Sequence, residues 1–204
     1  TVIATPISQI KLAPGSAMTI AGLTWKTYEA LLQELGNERP TRIAYDRGVL
    51  EIRMPGEIHE IVSRLLAKII TMLAMELGME ANDFGSVTLN REELDRGIEP
   101  DTCFYIQNAA KGQGMEVVVS QNLPPDLALE VDIASSSASK MVIYQAMGVP
   151  EIWLYQRGAL RIQLLQDESY ETAAYSRAFP LVSVEQLNQW LEIRKTETDL
   201  TVLR

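Results

Sequence analysis

Between Ile58 and Leu77, apolar residues recur at helical spacing: Ile58, Ile61, Val62, Leu65, Leu66, Ile69, Ile70, Leu73 and Leu77. At 3.6 residues per turn they fall on one stripe, and Gly78 is a fitting stop. A helix this long and this apolar on one face must be covered by another layer. The rest of the chain supplies that layer. Strand-type runs occur in a hairpin over 42–54, turning at Asp46, Arg47 and Gly48, and near 84–89, 98–106, 115–119, 127–133, 151–156, 160–166 and 169–175. Thr24 caps a helix through Trp25, Tyr28, Leu31, Leu32 and Leu35 that Gly36 ends, and a short helix spans 138–147 before Gly148 and Pro150. A last helix opens at Ser183, whose capping-box partner is Gln186, and buries Leu187, Trp190 and Leu191. Residues 1–22, rich in Pro, Gly, Ser and Thr, read as an extended N-terminal arm, leaving 23–204 as one domain. This order of elements predicts an α/β fold with a central mixed β-sheet flanked by helices on both faces. With 204 residues and 47% hydrophobic side chains, one core of that kind can be filled.

Several function classes drop out early. A single cysteine, Cys103, and a single histidine, His59, are too few for an intrachain disulfide or a usual structural zinc site, so any metal here must be held by oxygen. No GxxxxGK or GxGxxG loop is present to cradle a nucleotide phosphate. With one histidine and with the SSSAS serines in a strand-to-helix turn, neither a serine triad nor a cysteine dyad is founded. Apolar runs are interrupted by charge well before the length of a membrane span, and no signal-peptide pattern opens the chain; the expectation is a soluble cytoplasmic protein with no membrane partner. A net charge of −9 weighs against nonspecific adhesion to nucleic acid.

What remains is acidic. In LALEVDIASSSASK, residues 127–140, strand alternation puts Leu127, Leu129, Val131 and Ile133 on one face and Ala128, Glu130 and Asp132 on the other. Two carboxylates side by side at roughly 4 Å repel by about 4 kcal/mol at an effective dielectric near 20. A second apolar run, GIEPDTCFYI, carries Asp101 with Cys103 and Tyr105 on its face and Glu99 beside it. Carboxylates on two apolar strands are the raw material of a hard-cation site for Mg²⁺ or Mn²⁺. The alternative is an acid paired with arginine while its neighbour ends the strand in solvent. Lys140, in the first turn of the short helix, is either a solvated surface lysine or a charge leaning back toward Glu130. On the long helix His59 lies roughly 60° from the centre of the stripe and Glu60 roughly 160° away, so His59 is the one to approach the sheet. It is either a hydrogen-bonded histidine at the core edge or a functional group. Glu57, near the helix start, is explained by the helix dipole.

The acidic pattern resembles the PD-(D/E)xK nuclease superfamily, the restriction-endonuclease-like fold, and more narrowly the Uma-type endonuclease family with its cyanobacterial members. The resemblance covers roughly residues 22–175 and is carried by LTWKTYEALL, MPGEIHEIV, GIEPDTCFYIQN, PDLALEVDIASSS and KMVIYQAMGVPEIWLY, in that order. It implies a metal-dependent phosphodiesterase site in which Asp101 and Glu130 are metal ligands, with Asp132 and a main-chain carbonyl as further candidates. Asp132 stands where the superfamily has its lysine; the resemblance implies that the lysine has moved to the following helix, where Lys140 and Tyr144 reproduce the spacing. His59 matches a histidine at the start of the long helix, with a role in binding phosphate, orienting the acids or donating a proton.

The leading expectation is therefore a Mg²⁺-dependent DNA endonuclease, with DNA as partner and, by fold analogy, a homodimer. Its alternative is a catalytically silent nuclease fold kept for binding nucleic acid or protein, which the acidic balance favours. Arg39, Arg42, Arg47, Arg53 and Lys68 would have to converge to make the basic patch a nuclease needs. A weaker third reading, a carboxylate-pair glycosidase, gives Lys140 no role.

Overall fold

The computed structural model describes residues 6–112, 123–133 and 138–204. The strand expected over 115–119 and residues 135–137 of the serine turn lie outside the described residues. In chain order the elements are β1 (Ala17–Ala21), α1 (Trp25–Leu35), β2 (Arg42–Asp46), β3 (Val49–Arg53), α2 (Glu57–Glu76), β4 (Asn82–Asp83), β5 (Leu89–Arg91), β6 (Arg96–Ile98), β7 (Thr102–Tyr105), β8 (Leu127–Asp132), α3 (Ala138–Met147), β9 (Glu151–Gln156), β10 (Ala159–Gln166), β11 (Ser169–Ala173), α4 (Val184–Arg194) and α5 (Asp199–Val202).

Two sheets form. The central one is mixed, in the order β11-β10-β9-β8-β7-β4, with β8 and β9 parallel. The other is antiparallel, in the order β1-β3-β2-β6-β5. β8 sits in the middle of the mixed sheet, and its alternation divides two cores. Leu127, Leu129 and Val131 pack with Val62, Leu65, Leu66 and Ile69 of α2. Ala128 packs on the other side with Ile143 and Tyr144 of α3, together with Ala44 and Ile98 from the antiparallel sheet. Glu130 and Asp132 share that second face. A third cluster, Tyr28, Ile43, Tyr45, Leu50 and Ile52, seats α1 on the far side of the antiparallel sheet.

Local signals explain the element ends. Thr24 Oγ1 accepts from Thr27 N at 3.2 Å, and the Ser183 capping box closes at both of its bonds. The β2–β3 hairpin turns through Arg47 (φ 44°) and Gly48 (φ 91°), the left-handed pair that a tight hairpin requires. Several expectations need correction. The strand expected over 98–106 is two strands in different sheets, because Pro100 has no N–H for a ladder and breaks the run between β6 and β7. Ile58 and Ile61 are 60% and 48% exposed, while His59 takes the inner place. The first turn of α2 meets the acid cluster rather than an apolar face, so a polar side chain is what fits there. Residues 17–21, read as part of an arm, form the edge strand β1 paired with β3. Among the described residues no helix is long and apolar enough to cross a membrane.

Candidate active site

Asp101 lies in the bend that Pro100 creates, yet it stays tied to β8 at both ends. Its N–H donates to Leu129 O at 3.1 Å, and its Oδ2 accepts from Val131 N at 2.7 Å. The carboxylate thereby takes the place of a strand residue and is aimed at the face of β8 that carries Glu130. Glu130 is fully buried. Its Oε2 accepts from Lys140 Nζ at 2.7 Å and its Oε1 from the Tyr144 hydroxyl at 2.5 Å. Lys140 and Tyr144 are four residues apart on α3, so one helix face presents both donors to one carboxylate. Burial pushes the Tyr144 hydroxyl far above its ordinary range, and the Glu130 charge adds to that, so the phenol keeps its proton and donates.

His59, 4% exposed, brings Nε2 to 2.9 Å from Asp101 Oδ1. The contact is close but off the N–H line, so among the described residues Asp101 Oδ1 and both imidazole nitrogens lack an aligned hydrogen-bond partner. Burial alone would raise the Asp101 carboxyl. The adjacent His59 and the charges of Lys140 and Arg53 outweigh it and hold the group below its usual value.

All four residues singled out from the sequence as catalytic, Asp101, Glu130, Lys140 and His59, thus lie in one buried cluster. Asp132, the third expected metal ligand, is equally buried and accepts from Gln156 Nε2 of β9 at 3.1 Å. Among the described residues no three acids, histidines or cysteines converge as a ready metal-binding group.

The residue that sequence reasoning underrated is Arg53. Its guanidinium is buried at the end of β3 and faces three oxygens at once: Asp101 Oδ1 at 3.6 Å, Glu130 Oε2 at 3.5 Å and the Val131 carbonyl at 3.4 Å. Its signal was present in EIRMP, an arginine closing an apolar strand. Of the other basic residues proposed to converge, Arg39 and Arg42 line one cavity beside this region. Arg47 pairs with Asp46 at the hairpin, and Lys68 pairs with Asp199. A second cavity of about 430 Å³, lined by Arg53, Pro55, Gly56, Ile58, His59 and Ile133, borders the cluster at Arg53 and His59. Cys103 is buried and its thiol is pushed far up by that burial, so it offers no nucleophile.

A mixed sheet clasped between α2 and α3, with acids at a bend and on the adjoining strand, is a restriction-endonuclease-like architecture. The Uma2 family model, described as "Putative restriction endonuclease", matches residues 25–197, and the chain belongs to that family. Among solved structures it resembles one of a "putative nuclease belonging to DUF820" from Anabaena variabilis, with a TM-score of 0.55 and 16% identity over 83% of this chain and 99% of that one. At that identity the likeness shows the fold. No curated protein matches the chain.

Proposed function

We propose that the protein is a divalent-metal-dependent DNA endonuclease whose active site is the Asp101, Glu130, Lys140 and His59 cluster. The observation that carries this reading is the meeting of Asp101, from the bend before β7, and Glu130, from β8, with a lysine from α3, next to a cavity that His59 and Arg53 line. The donor chemistry fits Mg²⁺ or Mn²⁺: the Asp101 and Glu130 carboxylates and the Val131 carbonyl are hard oxygens, and Asp101 Oδ1 is buried without an aligned partner. These three would hold the ion, with Asp132 close by on the same strand face. When bound, such an ion supplies Lewis acidity to water and phosphate.

The chain's own residues supply the rest. Val131 N fixes the Asp101 carboxylate through Oδ2, leaving Oδ1 turned toward Arg53 and His59. Lys140 holds Glu130 in place and brings a positive charge against which negative charge developing on a phosphate is stabilised. His59 and Arg53 border the cavity and meet an incoming phosphate first; His59 is placed to pass a proton at Nε2. Arg53 faces the same oxygens as the cation would, so it neutralises the acids without metal and competes with metal for them.

The second reading, a silent nuclease fold that binds without cutting, is favoured by the engagement of both Glu130 oxygens by donors of α3. Supercoiled DNA with Mg²⁺ or Mn²⁺ separates the two. Wild type is expected to nick and Asp101→Ala, Glu130→Ala and Lys140→Ala are not. Intact DNA with wild type, or equal nicking by all four proteins, would count against the proposal.

A further inference from the structure

A cavity of about 340 Å³ lies beside the candidate active site and is lined by Asn37, Arg39, Thr41, Arg42, Thr88 and Glu99. Three polar atoms of its lining residues, Arg39 Nε, Thr41 Oγ1 and Arg42 Nε, are buried and have no hydrogen-bond partner among the described residues. An unmade bond at a buried polar group costs about 1–3 kcal/mol, and native proteins rarely leave several in one place without a water or ion to meet them. The two arginine Nε–H groups can only donate and the threonine hydroxyl can do so too, so an acceptor suits all three.

Charge distinguishes an anion from water. The one acid in the lining, Glu99, is already engaged: it forms an ion pair with Arg39, accepts from Thr88 Oγ1 at 2.7 Å and accepts from Ile43 N at 3.1 Å. Two arginines against one acid leave the cavity positive in a chain whose net charge is −9. Arg39 is anchored, with its side chain 9% exposed, and cannot swing out to solvent at low cost. Guanidinium N–H groups with an adjacent hydroxyl match the tetrahedral oxygens of a phosphate.

The strand register connects this cavity to the chemistry. Arg42 on β2 is the direct cross-strand partner of Arg53 on β3. Directly opposed residues share a face with Cβ atoms about 5 Å apart, so Arg42 stands next to the charged cluster that holds Arg53. Arg53 faces Asp101 and Glu130, and Arg42 is its neighbour across the strand pair. Glu99 in the cavity wall is two residues before Asp101.

We infer that the Arg39, Thr41, Arg42 and Thr88 cavity binds a backbone phosphate of the nucleic acid adjacent to the one being cut. This rests on the nuclease reading for the identity of the ligand, but its test does not need cleavage. Two titrations in EDTA read it: inorganic phosphate followed by thermal melting, and a labelled duplex oligonucleotide followed by fluorescence anisotropy across a salt series. Phosphate is expected to raise the melting temperature of wild type and not of Arg42→Gln. Duplex affinity is expected to fall about tenfold in Arg42→Gln, with the salt slope reduced by about one. Arg42→Lys, which keeps the charge and loses the fork, and Thr41→Val, which loses only the hydroxyl, are expected to lie between; they decide the matter if Arg42→Gln misfolds. A wild type that ignores phosphate, with variants that bind duplex as it does, would leave water as the cavity's occupant and overturn the inference. Phosphate protection with unchanged duplex affinity would equally overturn it. If the variants weaken duplex binding while wild type never nicks, the phosphate subsite stands and the nuclease reading fails.

Discussion

Glu130 and Glu151 are both fully buried, on the neighbouring parallel strands β8 and β9, and they are met in opposite ways. Glu130 is surrounded by Lys140, Tyr144 and Arg53. Glu151 is held by neutral donors: Trp153 Nε1 at 2.7 Å on Oε1, and Arg177 N at 2.9 Å and Ala178 N at 2.7 Å on Oε2. Burial raises the Glu151 carboxyl, and its hydrogen bonds only partly offset that. Asp101, also buried but beside His59, Lys140 and Arg53, is moved the other way. Burial of an acid therefore does not define a site. Glu151 fastens the loop at 176–178 to the sheet, whereas Glu130 lies in a cluster of opposite charges, two of whose members, Arg53 and His59, line a cavity.

The comparison can be broken by substitution. The largest effect is expected in chemistry: Glu130→Gln, which keeps the shape and removes the charge, should lose nicking by about 10²-fold or more, and Glu151→Gln should retain it. Comparable loss in both would erase the distinction. Stability should respond in the reverse sense. Glu151→Ala leaves two main-chain N–H groups and an indole N–H unpaired in the interior, which costs about 3 kcal/mol and is read from the urea midpoint. For Arg53→Met, removal of a competing cation should raise divalent-ion affinity roughly five- to tenfold and lower the metal-free melting temperature. Unchanged affinity would mean that Arg53 does not face the cation position.

The smallest effect is in pH dependence, and its sign differs between the two acids. Asp101 has a lowered folded-state pKa, so its contribution is present above the unfolded value, about 3.9, and is lost as pH falls through the folded one. Glu151 has a raised folded-state pKa, so its contribution is present below the unfolded value, about 4.3, and is lost as pH rises through the folded one. Stability measured from about pH 3 to 6 should therefore lose some of its rise with pH in Asp101→Asn and gain in slope in Glu151→Gln. Slopes that change in the same direction in both variants would contradict the assignment of partners.

Much of this arrangement was legible in the chain, for identifiable reasons. The alternation of LALEVDI gives which face of β8 meets α2 and which carries Glu130, because a strand has a period of two whatever surrounds it. The helical wheel turned His59 inward, and the family resemblance singled out Lys140 and Tyr144, whose four-residue spacing places both on one face of α3. Periodicity says nothing, however, about where along a stripe the covering layer stops, so Ile58 and Ile61 read as buried. Pro100 was a visible break, but only the fold shows that it sends β6 and β7 to different sheets. Arg53 showed only as an arginine closing an apolar strand, and its role depends on contact between the end of β3 and β8, segments 78 residues apart. Glu151 follows a proline at the start of an apolar strand, and its anchoring role depends on the loop at 176–178, which sequence pattern does not bring to it.

The most direct test of the central claim is calorimetric titration of Mn²⁺ into wild type, Glu130→Gln and Glu151→Gln under identical conditions. Binding heat in wild type and in Glu151→Gln, and its loss in Glu130→Gln, is the predicted result. Binding that survives Glu130→Gln, or that disappears with Glu151→Gln while the protein stays folded, would contradict it.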